Sequence, residues 1–222
     1  MSIIRALYSR LKPPEFYVET LDFRSGLGDS SWLLYGLTRS LKPRICVEIG
    51  SARGKSACAV GLALQRNGGG KLFAIDPHSA TSWNDSESVD TFTIINENLR
   101  KAGVTDFVEV VRAKSGDAAK AWRETIDLIF IDGDHSYEGV KADWEAFLPH
   151  LNQFGVVAFH DTLWDLRPDP KLSRADMGVP RFVNELRAAG YPVITIDQDY
   201  GVSLVQPCIG GIALSPESSR SS

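Results

Sequence analysis

Glu48, Asp76, Asp132, His135, His160 and Asp161 are the residues of this chain whose types and surroundings could do chemistry. Glu48 sits inside the stretch that organises the rest, residues 45–56, Ile-Cys-Val-Glu-Ile-Gly-Ser-Ala-Arg-Gly-Lys-Ser. Ile45–Ile49 is an apolar run broken only by Glu48, the pattern of a strand covered on both faces. Gly50 and Gly54 bracket a tight turn, and from Lys55 the spacing of Ala57, Val60 and Leu64 is helical. Strand, glycine turn and helix put backbone N–H groups and a helix N-terminus at the carboxyl end of a strand, where an open α/β sheet holds its ligand.

Three ligand classes compete for that turn. Gly50, Gly54, Lys55 and Ser56 come within one residue of the phosphate-binding G-x-x-x-x-G-K-[ST] loop, and Ile126–Ile131 followed by Asp132 resembles a second triphosphatase signature. The loop is one residue short for wrapping a phosphate, however, and Glu48 would set a carboxylate beside a highly anionic ligand. The dinucleotide fingerprint G-x-G-x-x-G is broken by Ser51-Ala52. The third class carries positive charge and a ribose but no phosphate. S-adenosylmethionine fits it, because its ammonium and sulfonium favour acids and its ribose diol needs a carboxylate acceptor. The sequence favours this third class. Asp76 ends the next predicted strand, 71–76, one helix beyond the glycine turn, where an acid can accept from both ribose hydroxyls.

The elements that must position these residues alternate. A helix capped by Asp29 or Ser30 is expected through Leu41, and others from Gly54 to about Arg66, through about Ala102, briefly after the strand-tip turn at 113–117, from Tyr137 to about His150, and from Pro180 to Gly190. Strands are expected at 45–49, 71–76, 107–112, 126–131, 154–159, 193–196 and 202–205. The resulting fold class is α/β: a doubly wound, Rossmann-like seven-stranded sheet, mostly parallel, with one antiparallel edge strand where the last two strands pair directly. Asp132, with Gly133, Asp134 and His135, and the His160-Asp161 pair then fall at strand tips on the ligand side. Two long loops, 77–88 with His78 and Trp83 and 163–178 with Arg167, Lys171 and Arg174, lie over those tips. Residues 1–28 are expected to be an arm over the site or an element that contacts a partner, a homodimer being one such assembly. Residues 29–206 are the domain and 207–222 a tail, Ser-rich from Ser215.

Composition narrows the partners. At 222 residues with net charge −4, the chain suits one large soluble domain and lacks the basic balance of a nucleic-acid binder. No apolar run approaches the length needed to span a bilayer, and the first ten residues carry no cleavage site of the signal-peptide type. The cysteines, Cys46, Cys58 and Cys208, are widely spaced and read as small buried hydrophobes in a reducing, cytoplasmic compartment.

With these residues in place, the chain resembles the class I S-adenosylmethionine-dependent methyltransferases, and more narrowly the small O-methyltransferases grouped with macrolide-sugar methyltransferases and cephalosporin-hydroxylase-like proteins. The resemblance covers about residues 29–206. It is carried by Val-Glu-Ile-Gly-Ser-Ala-Arg-Gly at 47–54, Ile-Asp-Pro-His at 75–78, Ile-Asp-Gly-Asp-His-Ser-Tyr-Glu-Gly-Val at 131–140 and Gly-Val-Pro-Arg-Phe at 178–182. It implies that Glu48, Gly50 and Ser51, on the Gly50–Gly54 turn, hold the methionine part of the cofactor. Asp76 would take the ribose, and Ser115 with Gly116 would lie at the adenine. Asp132 would stand between cofactor and acceptor. In metal-dependent relatives the position of Asp132 is a metal ligand, joined by two adjacent residues that correspond here to His160 and Asp161.

Asp132, His160 and Asp161 could therefore converge on a divalent cation. His160 departs from the acid of many relatives and admits Mn²⁺ beside Mg²⁺. The alternative needs no metal, with His160 or His135 as general base. The expected acceptor is a hydroxylated small molecule such as a sugar, a diol or a catechol-like compound. Another enzyme on the same fold, hydroxylase-like, and a cofactor-binding protein without turnover remain rival readings.

Overall fold

The computed structural model describes residues 27–80, 89–167, 174–209 and 212–213, together with Leu21, Phe23 and Ser25. Helix α1 (Ser30–Leu41) leads into β1 (Ile45–Ile49), α2 (Lys55–Asn67), β2 (Lys71–Ile75), α3 (Thr91–Ala102) and β3 (Val108–Val111). Then follow α4 (Ser115–Ala121), β4 (Ile126–Ile131), α5 (Tyr137–Phe147), β5 (Leu151–Phe159), α6 (Val179–Ala188), β6 (Val193–Ile196) and β7 (Val202–Val205). Seven strands form one sheet in the order β3-β2-β1-β4-β5-β7-β6. All neighbours from β3 to β5 are parallel, and β7 is antiparallel to both β5 and β6. The antiparallel strand thus lies one strand in, with β6 outermost. The order reverses between β1 and β4, and the ligand crevice of a doubly wound sheet opens at such a switch point.

Period-two alternation sorts the central strands between two cores. Cys46, Leu72, Leu128 and Phe130 face one side, against Leu34, Leu62, Leu64, Ile95 and Leu99 of α1, α2 and α3. Ile45, Val47, Ile49, Ile129 and Ile131 face the other, against Trp144, Phe147 and Phe182 of α5 and α6. Every residue of β1 is buried, as an apolar run in a twice-covered sheet requires. Cys46 and Cys58 are free, and burial pushes both thiols well up, which keeps them inert.

Local chemistry sets the ends of the helices. Gly68 and Gly103 close α2 and α3 in the left-handed conformation, and Asp90 and Ser136 cap α3 and α5 by accepting from Thr93 N–H and Gly139 N–H. The helix expected to reach His150 stops at Phe147, and Leu148–His150 is a single 3₁₀ turn containing Pro149. β5 starts at Leu151, three residues before the expected 154, and reaches β4 through a register shift. Two-residue strands β8 (Cys208–Ile209) and β9 (Ile212–Ala213) pair beyond the main sheet.

Contacts distant in sequence close the structure. Ser30 donates to Asp199 Oδ2 through both its backbone N–H (2.9 Å) and its hydroxyl (2.7 Å), tying the start of α1 to the β6–β7 turn. Leu163 N–H donates to Tyr200 O at 2.8 Å, which fastens the segment after β5 to that same turn.

Candidate functional site

A cavity of about 790 Å³ opens over the carboxyl ends of β1, β2 and β4. That size suits a nucleoside-scale ligand. Its walls bring together Gly50, Ser51, Gly54, Asp76, Ser115, Asp132, His135, His160 and Asp161, although these residues are spread over more than a hundred positions of sequence.

The glycine turn forms the floor. Gly50 has φ +88°, and a Cβ there would overlap the Asp132 carbonyl oxygen and lie 2.6 Å from Gly133 Cα. The turn and the β4 tip can approach this closely only without a side chain. Gly54 has φ +83° and precedes α2, with a built Cβ 2.6 Å from Ile95 Cγ1.

Glu48 lies beneath this floor and is 1% exposed. The Ser56 hydroxyl donates to its Oε1, while Oε2 has no partner among the described residues. Burial raises the Glu48 carboxyl to about 8; the Ser56 hydrogen bond opposes that rise, and Asp132 and Asp76 add to it. Glu48 is not among the residues that line the cavity; Ser51 does line it, and its Oγ is likewise buried without a partner among the described residues.

Asp76 is held by two backbone donors. Ala52 N–H donates to Oδ2 at 2.9 Å and His78 N–H to Oδ1 at 2.6 Å. Both donor residues have positive φ, 43° and 49°. This unusual backbone aims their amides at one carboxylate. The His78 ring is buried, its Nδ1 3.0 Å from Thr91 Oγ1 and 3.9 Å from Asp76 Oδ1. Ser115 opens α4 and lines the cavity, whereas Gly116, one position on, is exposed and outside its wall.

At the other end, carboxylates and imidazoles interlock. His135 Nδ1 lies 2.6 Å from Asp161 Oδ2. His160 Nδ1 lies 3.1 Å from Asp161 Oδ1 and 3.4 Å from Asp132 Oδ1. Burial alone would lower His160, but Asp132 and Asp161 outweigh it and raise the imidazole to about 10. His135 is also raised, because the Asp161 hydrogen bond and the Asp132 charge overcome its burial. Burial pushes Asp161 upward, yet the two imidazoles hold it well below the usual carboxylate range. Asp161 itself has φ +60°, a left-handed residue at the end of β5. One ligand atom each from Asp132, His135 and Asp161 fall within 4.8 Å of one another, a grouping able to hold a metal ion; His160 stands beside it.

The cavity wall also carries Phe23, Leu27, Trp164, Arg174, Met177 and Tyr200. Trp164 and Tyr200 stack with centroids 4.5 Å apart. Of the basic residues of the second long loop, Arg174 lines the cavity and pairs with Asp176 at 2.8 Å. Arg167 instead pairs with Asp197 and donates to Asp199 O at 3.0 Å. Trp83, Lys171 and most of the arm at 1–28 lie outside the described residues. Sequence reasoning missed Asp143, Trp164 and Tyr200. An acid between Val140 and Trp144, on the apolar stripe of α5, was a readable signal for Asp143; the aromatic pair had none, being joined only by tertiary packing.

Comparison with known proteins agrees with this geometry. Residues 143 in number, 60% of this chain, align at 29% identity with the uncharacterized protein y4gI of Sinorhizobium fredii. The chain spans 15% of the length of that relative and 62% of the length of the uncharacterized protein R132 of Acanthamoeba polyphaga mimivirus, with which it is 27% identical over 65% of its own length. Among solved structures, the S-adenosylhomocysteine-bound methyltransferase PaMTH1 of Podospora anserina superposes with TM-score 0.63 at 18% identity, over 80% of this chain and 77% of that one. The O-methyltransferase TomG of Streptomyces achromogenes, in complex with S-adenosylmethionine, gives TM-score 0.59 at 21% identity, over 80% and 78%. These likenesses show the Rossmann-like methyltransferase fold. The sequence profile of the methyltransferase domain family matches residues 47–162, more than half of the chain, so this chain belongs to the methyltransferase domain family.

Proposed function

We propose that the protein is an S-adenosylmethionine-dependent O-methyltransferase acting on a hydroxylated small molecule. The observation that carries this reading is the continuity of one cavity from the Gly50–Gly54 turn and Asp76 to the His135–Asp161 couple. A donor held at the first end would meet an acceptor hydroxyl at the second.

The residues fit such a donor. Glu48 and Ser51 keep buried oxygen atoms without partners among the described residues, beside a turn whose two glycines admit no side chain without collision. With Gly50 and Gly54, they form the end for the methionine portion. Asp76, locked by two amides, accepts from the ribose diol. Ser115, with Gly116 behind it, borders the base, and Asp132 stands between donor and acceptor. S-adenosylmethionine supplies a methyl group made electrophilic by its sulfonium, so the protein has mainly to align the nucleophile and exclude water.

An alcohol attacks poorly while it keeps its proton. His135 lines the cavity with Nδ1 fixed by Asp161, the arrangement of an oriented general base whose basicity the carboxylate strengthens. His160 bridges Asp132 and Asp161 and holds both carboxylates in place. A second reading rests on the 4.8 Å grouping of Asp132, His135 and Asp161. Carboxylate and imidazole donors suit Mn²⁺ as well as Mg²⁺, and the ion would add Lewis-acid polarisation of a bound hydroxyl. The stacked Trp164–Tyr200 pair offers an aromatic wall to a sugar or an aromatic acceptor.

Calorimetric titration with S-adenosylmethionine and NAD tests the donor. Binding of NAD in place of S-adenosylmethionine would end the proposal. A screen of hydroxylated metabolites with labelled donor, run with Mg²⁺, Mn²⁺ or chelator, identifies the acceptor class.

A further inference from the structure

A guanidinium and three hydroxyls run in a line across the β6 end of the sheet. Arg187 Nη2, on α6, donates to Thr195 Oγ1 of β6 at 2.9 Å. Thr195 Oγ1 and Ser203 Oγ of β7 lie 2.8 Å apart, and Ser203 donates to Thr162 Oγ1 at 2.9 Å. A hydroxyl has one proton to give, which fixes the direction of the chain. Ser203 gives its proton to Thr162, so Thr195 must donate to Ser203 while it accepts from Arg187. Ser203 is fully buried and Thr162 is 5% exposed. Thr195 and Ser203 stand directly opposite each other in the β6–β7 ladder, two positions from Val193 and Val205, which pack into the core with α6. An apolar pair would pack there as those valines do, so packing alone does not account for the hydroxyls.

The chain ends one residue beyond Asp161, whose φ of +60° a non-glycine residue keeps only where its surroundings fix it. Backbone bonds supply part of that hold: Thr162 N–H donates to Gly201 O at 3.3 Å and Leu163 N–H to Tyr200 O at 2.8 Å. Both bonds reach the β6–β7 turn, and the hydroxyl chain reaches the two strands which that turn joins. On the methyl-transfer reading, whose chemical step depends on this orientation, we propose that Ser203, Thr195 and Arg187 are positioning residues. Acting through Thr162, they hold Asp161 in its left-handed conformation and so keep its two carboxylate oxygens aimed at His135 and His160. The device serves a histidine base and a bound cation alike, since both need the Asp161 carboxylate in one orientation. None of the three lines the cavity, so each acts on the chemistry only through its neighbour.

The test breaks the chain at two places, with Ser203→Ala and with Thr195→Val, which keeps the shape of the side chain and removes only the hydroxyl. Thr195→Ser keeps the hydroxyl and serves as the conservative variant. In metal-free protein, proton NMR should show the imidazole N–H protons directed at Asp161 far downfield of the amides. Both chain-breaking variants should shift or broaden these resonances, and Thr195→Ser should preserve them. On the acceptor returned by the hydroxylated-metabolite screen, kcat should fall by about tenfold to a hundredfold in the chain-breaking variants, the scale of a misplaced catalytic group, with KM and S-adenosylhomocysteine affinity nearly unchanged. A mere brace would lower the melting temperature and leave both the resonances and kcat of the folded variants where they were, which overturns the proposal. Absence of the downfield resonances from the unaltered protein overturns it without any variant. If Ser203→Ala does not fold, Thr195→Val decides. A screen in which no acceptor is methylated would instead end the methyl-transfer reading, while the resonances still report whether the chain holds Asp161.

Discussion

His135 Nδ1 and Asp161 Oδ2 stand 2.6 Å apart although the two residues come from the ends of different strands. The contact exists because β4 and β5 are parallel neighbours in register, Ile131 opposite Phe159, so their carboxyl ends finish side by side. His160 joins them through the opposite oxygen of the same carboxylate. Removing the His135 ring should lower the rate of methyl transfer by about a hundredfold to ten-thousandfold, the usual worth of a general base. His135→Ala should bind S-adenosylhomocysteine as the unaltered protein does. Single-turnover rates set beside calorimetric affinities separate the two effects.

The cation reading has its own signature. If Asp132, His135 and Asp161 hold an ion during turnover, activity should fall in chelator and return with Mg²⁺ or Mn²⁺, and Asp161→Ala should abolish that stimulation while leaving cofactor affinity nearly unchanged. Equal rates in chelator and in metal leave the histidine base as the sole activator of the hydroxyl.

Asp76 is expected to matter for binding rather than folding of the sheet. Its carboxylate is fixed by Ala52 and His78 N–H groups before any ligand arrives. Asp76→Ala should weaken S-adenosylhomocysteine by about tenfold to a hundredfold, since charge-assisted hydrogen bonds to both ribose hydroxyls are lost. Calorimetric titration measures it, and an unchanged affinity would remove the ribose role.

Glu48 gives the ligand-free protein a pH dependence. Its carboxyl titrates at about 8 in the folded state, against an ordinary 4.5, because it is buried. The folded chain therefore binds this proton more tightly than the unfolded chain. The corresponding stability is complete below about pH 4.5 and is lost as pH rises through about 8, by an amount on the order of a few kcal/mol. Urea unfolding across this range should show the decline, and Glu48→Gln should flatten it. A cationic ligand that ionises Glu48 should release a proton at pH 7, read from the dependence of binding heat on buffer ionisation enthalpy.

Gly50 should tolerate nothing larger. Gly50→Ala places a methyl group against the Asp132 carbonyl at φ +88°, and should cost at least about 2 kcal/mol along with ligand binding. Gly68→Ala, also at positive φ but in open space, should cost only about 1 kcal/mol. Thermal unfolding of the pair isolates the collision from the dihedral.

Much of this architecture was legible because each central strand is a short apolar run and each helix carries a strong stop such as Gly68 or Gly103. Strand tips follow from strands, so Asp76, Asp132, His160 and Asp161 were legible as neighbours on one side of the sheet. The extension of β5 back to Leu151 was not, since the exposed Phe154 and the polar Asn152 and Gln153 hide a strand that projects past the core. Nor was the seat of β7 between β5 and β6, which depends on pairing rather than pattern. The partnership of His135 with Asp161 required the register of β4 on β5. The Trp164–Tyr200 wall required the turn at 197–201 to fold back beneath the segment after β5, and no local spacing announces that.

The bond pair from Ser30 to Asp199 also bears on how the molecule comes into being. The two residues leave the ribosome 169 positions apart. The strand ends that carry Gly50, Asp76 and Asp132 have emerged well before Tyr200 has been made. The residues of the glycine-turn half of the cavity are therefore synthesised before the β6–β7 turn that docks on α1 and carries Tyr200. A product truncated after β5 is expected to keep the residues of the glycine turn while lacking Tyr200, one half of the aromatic pair.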